Sequence, residues 1–247
     1  MPENQPGTDK PVVPPTCYAD ILKAGHRRGH DFEIVIGNRD NLHSCLIAAP
    51  HGGGIEPLTS EIARAVADVN TRTFYLFLGH LNHNNWNAFH IDSTRFDEPD
   101  FTRLAAETEF IVSFHGAERD QERRVYVGGL HERGRAIMIQ SLNADLAPYE
   151  ILAVDATKAG ADQSIAGLHP HNLTNRGRTG RGIQLEFSDA ARLAFFPGKS
   201  RAARQQPNEH LPVLARSIDA ALRRLTNFPA FSSSANCLPN TNSGHLG

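Results

Sequence analysis

Residues 44–70 read SCLIAAPHGGGIEPLTSEIARAVADVN. The run SCLIAAP has the length and apolar character of a buried strand. Three glycines then turn the chain, and Ile62, Ala65, Val66 and Val69 return at helical spacing. Either Thr59 or Ser60 can cap that helix. A strand passed through a short loop to a helix is the building unit of layered α/β domains. Working outward, FEIVIG (32–37), TFYLFLG (73–79), EFIVSFHG (109–116), RVYVGG (124–129), EILAVD (150–155) and GIQLEFS (182–188) read as six further strands. ERGRAIMIQSLNADL (132–146) and HLPVLARSIDAALRRL (210–225) carry the helical period and should cover faces of the sheet. The pattern predicts an α/β single domain with a mixed, largely parallel central sheet flanked by helices.

The ends differ from this middle. MPENQPGTDKPVVPP (1–15) is polar and proline-rich, and residues 229–247 are dominated by Ser, Asn, Gly and Pro. Neither stretch can bury enough apolar surface to repay ordering, which predicts a disordered leader over 1–15 and a flexible tail over 229–247. A catalytic domain is expected between them, over 16–228. A net charge of −2 across 247 residues supplies no global field for nucleic acid or an anionic membrane. The apolar runs are too short to cross a bilayer and no secretory signal is visible, so a soluble, cytoplasmic monomer is expected, released to the exterior only by lysis. Cys17, Cys45 and Cys237 are odd in number and scattered, which reads as free thiols in a reducing compartment.

Ligands of such sheets sit outside the carboxyl ends of the strands, which directs attention to AAPHGGGIE, FHIDST, IVSFHG and IQLEFS. His51 and Glu56 lie five positions apart around the glycine turn, and His115 ends the apolar strand IVSFHG. Two imidazoles and a carboxylate are a suitable donor set for a catalytic zinc, which keeps its fourth position open. The glycine loop also admits an anion-binding reading through its backbone N–H groups. An esterase oxyanion loop would need a GxSxG elbow, and none occurs.

Glu186 is the only charge in the strand GIQLEFS, a costly place for a carboxylate unless it is paired, for example with Arg192, or used as a general base. His90, in HIDSTRFDEPD (90–100), is a candidate to polarise a scissile carbonyl or to hold substrate. Arg95 of the same loop, and Asn175, Arg176, Arg178 and Arg181 of NRGRTGRG (175–182), are candidate substrate contacts, because guanidinium forks bind carboxylates. FDEP reads as a turn ended by Pro99, and His169 and His171 are weak evidence for a second metal.

Taken together and in order, HGGGIEPLTSEIARA, HIDSTRFDEP, VSFHG, VYVGGL and NLTNRGRTGRGIQLEFS resemble the zinc-dependent poly-γ-glutamate hydrolase family, best known from bacteriophages. The resemblance runs from about Tyr18 to Leu225 and implies a compact relative of zinc carboxypeptidases. It implies one zinc ion on His51, Glu56 and His115, Glu186 as base, and an acidic polymer, poly-γ-glutamate, as substrate. Four residues separate His51 from Glu56, where larger carboxypeptidases have two, and Asp92 stands where the family's HITST has Thr. A zinc amidohydrolase acting on other acidic peptides or acyl amino acids and a non-catalytic anion-binding module are the alternatives.

Overall fold

The computed structural model describes residues 13–39, 44–117, 121–158 and 163–226. The expected tail with Cys237 lies outside them, as does the expected leader except for residues 13–15. In chain order the elements are α1 (Tyr18–Lys23), β1 (Phe32–Gly37), β2 (Cys45–Gly53), α2 (Thr59–Val69), β3 (Phe74–Gly79), α3 (Asn85–Phe89), α4 (Pro99–Glu107), β4 (Phe110–Ala117), β5 (Arg124–Gly128), α5 (Glu132–Leu146), β6 (Leu152–Asp155), β7 (Ile183–Ser188), α6 (Asp189–Leu193) and α7 (Leu211–Thr226). All seven expected strands form, in one sheet of order β1-β3-β2-β4-β7-β5-β6. Four of its pairings are parallel, and only β1–β3 and β5–β7 are antiparallel.

Alternation along the strands divides the core. Cys45, Ile47 and Ala49 of β2, Phe110, Val112 and Phe114 of β4, and Ile183, Leu185 and Phe187 of β7 pack against Ile62 and Val66 of α2, Met138 of α5 and Leu214 of α7. The other face begins with Leu46, Ala48, Tyr75, Phe77 and Ile111, which meet Ile21 of α1, Phe89 of α3 and Phe101 and Leu104 of α4. On this second face the carboxyl ends of β4 and β7 carry Ser113, His115, Gln184 and Glu186 in place of apolar side chains.

Local chemistry corrects two expectations. The position before α2 is Leu58, with φ +83°, and no side chain caps the helix. Thr59 Oγ1 instead donates to the Glu56 carbonyl at 2.8 Å, and Ser60 Oγ accepts from Gly53 N at 3.0 Å, so both hydroxyls serve the glycine loop. Pro99 does not end a turn but opens α4, where its missing N–H costs nothing, and the Glu98 carboxylate caps Phe101 N at 2.8 Å. Cys17 and Cys45 are free thiols, and burial pushes the Cys45 thiol up to about 12. No helix among the described residues is long and apolar enough to cross a membrane.

A buried ion pair joins the start of β3 to α7. Arg72 Nε donates to Asp219 Oδ1 at 2.8 Å, and Arg223 Nε stands 3.3 Å from the other oxygen. Asp219 is wholly buried, so its charge depends on these partners. Arg72→Leu should therefore destabilise the fold by about 3–5 kcal/mol, read as a lower urea midpoint at unchanged slope.

Candidate functional site

The site begins with an irregularity in β2. Ala49 pairs with Leu76 of β3, but Gly52 pairs with Leu78, so β2 spends one residue more than its partner over this interval. Strict alternation would send His51 to the α2 face with Ala49. The extra residue returns it to the opposite face, where its ring lies 5.2 Å from that of His115, centre to centre. Gly53 then takes φ +67° against Gly79, and a β-carbon there would sit 2.5 Å from the Gly79 carbonyl oxygen. The chain turns back and brings Glu56 under both histidines.

The three groups are buried and close. Glu56 Oε1 is 3.1 Å from His51 Nδ1, and Oε2 is 3.7 Å from His115 Nδ1. Oε2 also accepts from Gly116 N at 2.9 Å. Gly116 has no room for a side chain, because a β-carbon would lie 2.7 Å from the Arg192 guanidinium beneath it. That guanidinium donates to the Pro57 carbonyl at 2.7 Å and pairs with Asp189. It thereby braces the residue after Glu56 and is engaged with partners other than Glu186.

These three side chains can hold a metal ion, since one ligand atom from each lies within 4.8 Å of the others. Their chemistry fits one. His51 Nε2 is 2.8 Å from the Ile91 carbonyl, which can only accept, so Nε2 carries the proton. Nδ1 then faces the Glu56 carboxylate at 3.1 Å and is the ring nitrogen left to bind a ligand. A cation between them satisfies both. His115 Nε2 is likewise buried with no hydrogen-bond partner among the described residues. Burial alone would push Glu56 up, but His51, His90 and His115 outweigh it and hold its carboxyl well below the usual carboxylate range. Burial lowers His115 to about 3 against the pull of Glu56, so its imidazole is neutral and can serve as a ligand.

Around this triad lies a cavity of about 790 Å³. Glu186 lines it from β7, directly opposite His115 on β4 and opposite Tyr126 on β5. One Glu186 oxygen accepts from Gln184 Nε2 at 2.9 Å, and Gln184 Oε1 accepts from Asn172 Nδ2 at 2.9 Å. The Asn172 donor fixes which way the Gln184 amide points. His90 also lines the cavity, with Nε2 3.6 Å from Glu56 Oε1 and its ring stacked on Trp86 at 3.6 Å. Burial and the neighbouring His51 lower the His90 pKa.

The five expected substrate contacts are placed elsewhere and none lines the cavity. Residues 175–182 precede β7 and so meet the sheet at the amino ends of β4 and β7, where Arg178 N donates to Thr108 O. His115 is five residues along β4 from Phe110, roughly 17 Å away at strand rise. Asn175 ties the loop to Leu130, Gly167, His169 and Gly182. Arg176 packs over Phe101 and donates to the Phe96 carbonyl, while Arg95, Arg178 and Arg181 are exposed. His169 and His171 form no metal cluster among the described residues. The cavity cations are instead Arg124, held by Glu122, and Lys158. Gln184, Asn172, Tyr126 and Trp86 drew no attention in the sequence as site residues. Period-two counting back from Glu186 reaches Gln184, and no comparable signal marks the other three.

A family described as poly-gamma-glutamate hydrolase matches residues 18–218. Among curated relatives, the UPF0714 protein YmaC of Bacillus subtilis (strain 168) is 33% identical over 188 residues, 76% of this chain and 75% of its own length. The UPF0714 protein YndL of the same strain is 37% identical over 164 residues, 65% of this chain but only 60% of that protein. A solved bacteriophage poly-gamma-glutamate hydrolase superposes with a TM-score of 0.76 at 30% identity, covering 85% of this chain and 97% of that one. A structure described as zinc-free apo YndL gives 0.74 at 29% identity with the same coverages.

A divalent ion on the triad should raise the melting temperature in a concentration-dependent way, by about 2.7 kcal/mol of stability at a hundredfold excess over Kd. His115→Ala should abolish both that shift and stoichiometric metal uptake, measured by calorimetry and elemental analysis.

Proposed function

Because this chain belongs to the poly-gamma-glutamate hydrolase family, we propose that it is a zinc-dependent hydrolase of the γ-glutamyl amide bonds of poly-γ-glutamate. His51, Glu56 and His115 hold the zinc ion, and Glu186 is the general base. The observation that carries this reading is the buried convergence of ligand atoms from His51, Glu56 and His115 within 4.8 Å of one another, with a second carboxylate on the strand beside His115. Zinc, when bound, supplies Lewis acidity toward the scissile carbonyl.

The remaining steps belong to the protein. Glu186 takes a proton from the attacking water and returns it to the leaving nitrogen. Gln184 holds the Glu186 carboxylate in its aim and is itself held by Asn172. His90, clamped between Trp86 and Glu56, faces the reacting centre, and Arg124 and Lys158 stand on the wall as partners for substrate carboxylates. The reading of the glycine loop as a plain anion cradle is disfavoured, since Glu56, Asp92, Asp155 and Glu186 all line the same cavity and would repel an anion.

Chelation should abolish hydrolysis of γ-linked polyglutamate, and added zinc should restore it. Glu186→Gln should lower kcat by about 100-fold or more while zinc content stays stoichiometric; normal turnover by this variant removes Glu186 from the role of base. γ-Linked oligomers should be cut in preference to α-linked ones, and the reverse preference would make the enzyme a peptidase.

Gln184→Leu should reduce kcat about tenfold with a much smaller change in KM, because it loosens the base without removing a substrate contact. Asn172→Asp, which cannot donate to the Gln184 amide, should have a similar effect and add nothing in the Gln184→Leu background, as a double-mutant cycle would show.

A further inference from the structure

Trp86 is the chain's single tryptophan, and 40% of it is exposed. One side of the indole belongs to the catalytic cavity, and it also lines a second cleft of about 560 Å³. The floor of that cleft is Gly54, Ile55 and Pro57, the residues flanking Glu56 in the same loop. The two depressions are thus separated by one indole and one turn of backbone.

Their charges differ. The second cleft is lined by Lys199, Arg201 and Arg204 and by no Asp or Glu among the described residues. Lys199 pairs with Asp189, and Arg204 NH1 stands 3.5 Å from Glu61, but both of those acids lie outside the lining. Arg201 donates to the His80 carbonyl at 2.6 Å and has no carboxylate partner among the ion pairs of the described residues. Arg204 is more than nine-tenths buried, and its Nε has no hydrogen-bond partner there. Asn82, Asn84 and Asn87 on the facing wall offer amide groups that can bond to peptide groups.

Resting on the reading given under Proposed function, we infer that this cleft is an outlying subsite which holds the pendant α-carboxylates of the γ-linked polyglutamate chain beyond the bond being cut. A repeating polymer of carboxylates and amides is the ligand that such a strip of cations and amides matches. With Arg124 and Lys158 on the far wall of the catalytic cavity, the chain continues on both sides of the triad and is cut internally.

The test uses the full-length protein and the double variant Lys199→Gln/Arg201→Gln. Titration of the metal-free proteins with long γ-linked polyglutamate, followed by Trp86 emission, should show binding about tenfold weaker in the variant and a smaller salt dependence. With zinc present, the ratio of KM for the long polymer to KM for a γ-linked tripeptide should rise by a similar factor. Arg201→Lys should recover part of the loss, which separates charge from misfolding. Equal binding by both proteins, no emission change in the wild type, or an unaltered KM ratio overturns the subsite. If the wild type cuts neither γ-linked substrate, the proposed activity itself fails and the subsite with it; if it cuts both and the variant behaves alike, only the subsite fails.

Discussion

The extra residue in β2 between Ala49 and Gly52 decides which face of the sheet carries chemistry. A strand with unbroken alternation would bury His51 beneath α2, where an imidazole has no use and no ready partner. With the insertion, His51 meets His115, and the same turn carries Glu56 to both. The glycines that follow are consequences of this path: the chain must pass against Gly79 and under Asn85, and side chains would block it. The rest of the fold supports that geometry by placing the ends of β2, β4 and β7 side by side in parallel register.

Electrostatics then make the site costly to hold empty. Glu56 is buried, and its two oxygens face the Nδ1 atoms of His51 and His115. Among the described residues the fold contributes a single backbone donor, Gly116 N, to that carboxylate. Arg192, fully buried with Nε unpartnered among the described residues, spends its bonds on Pro57 and Asp189 and so fixes the loop without neutralising it. Positive charge at the centre is left for a ligand to bring. Such preorganised strain is characteristic of metal sites, where binding energy is linked to folding energy.

How much of this was legible depended on the range of the signal. Seven strands and the three long helices were readable because their apolar periods are local. His51, Glu56, His115 and Glu186 stood out because each ends or interrupts an apolar run. The short helices were hidden: α3 and α4 start at Asn85 and Pro99 in polar segments whose burial comes from distant partners such as Phe32 and Tyr75. The arginines of residues 175–182 stand away from the triad's cavity for a topological reason. That loop enters β7, which runs parallel to β4, so it belongs to the amino edge, while the His51, Glu56 and His115 cluster occupies the carboxyl edge. Composition suggested a carboxylate-binding loop, but strand direction decides which end of the molecule it serves.

The balance of charge in the cavity couples binding to the metal. Among the described residues, four carboxylates, Glu56, Asp92, Asp155 and Glu186, face two cations, Arg124 and Lys158. A polyanion approaching this surface without a metal meets these carboxylates at short range. A divalent ion on the triad would offset them and let an acidic chain lie against Glu186. Asp92 sharpens the point. It faces the cavity, and its carboxylate, tied to Thr94 at 2.5 Å, stays charged. Each added carboxylate raises the demand on a cation at the triad, whereas the cations across the Trp86 wall face no Asp or Glu in their own cleft among the described residues.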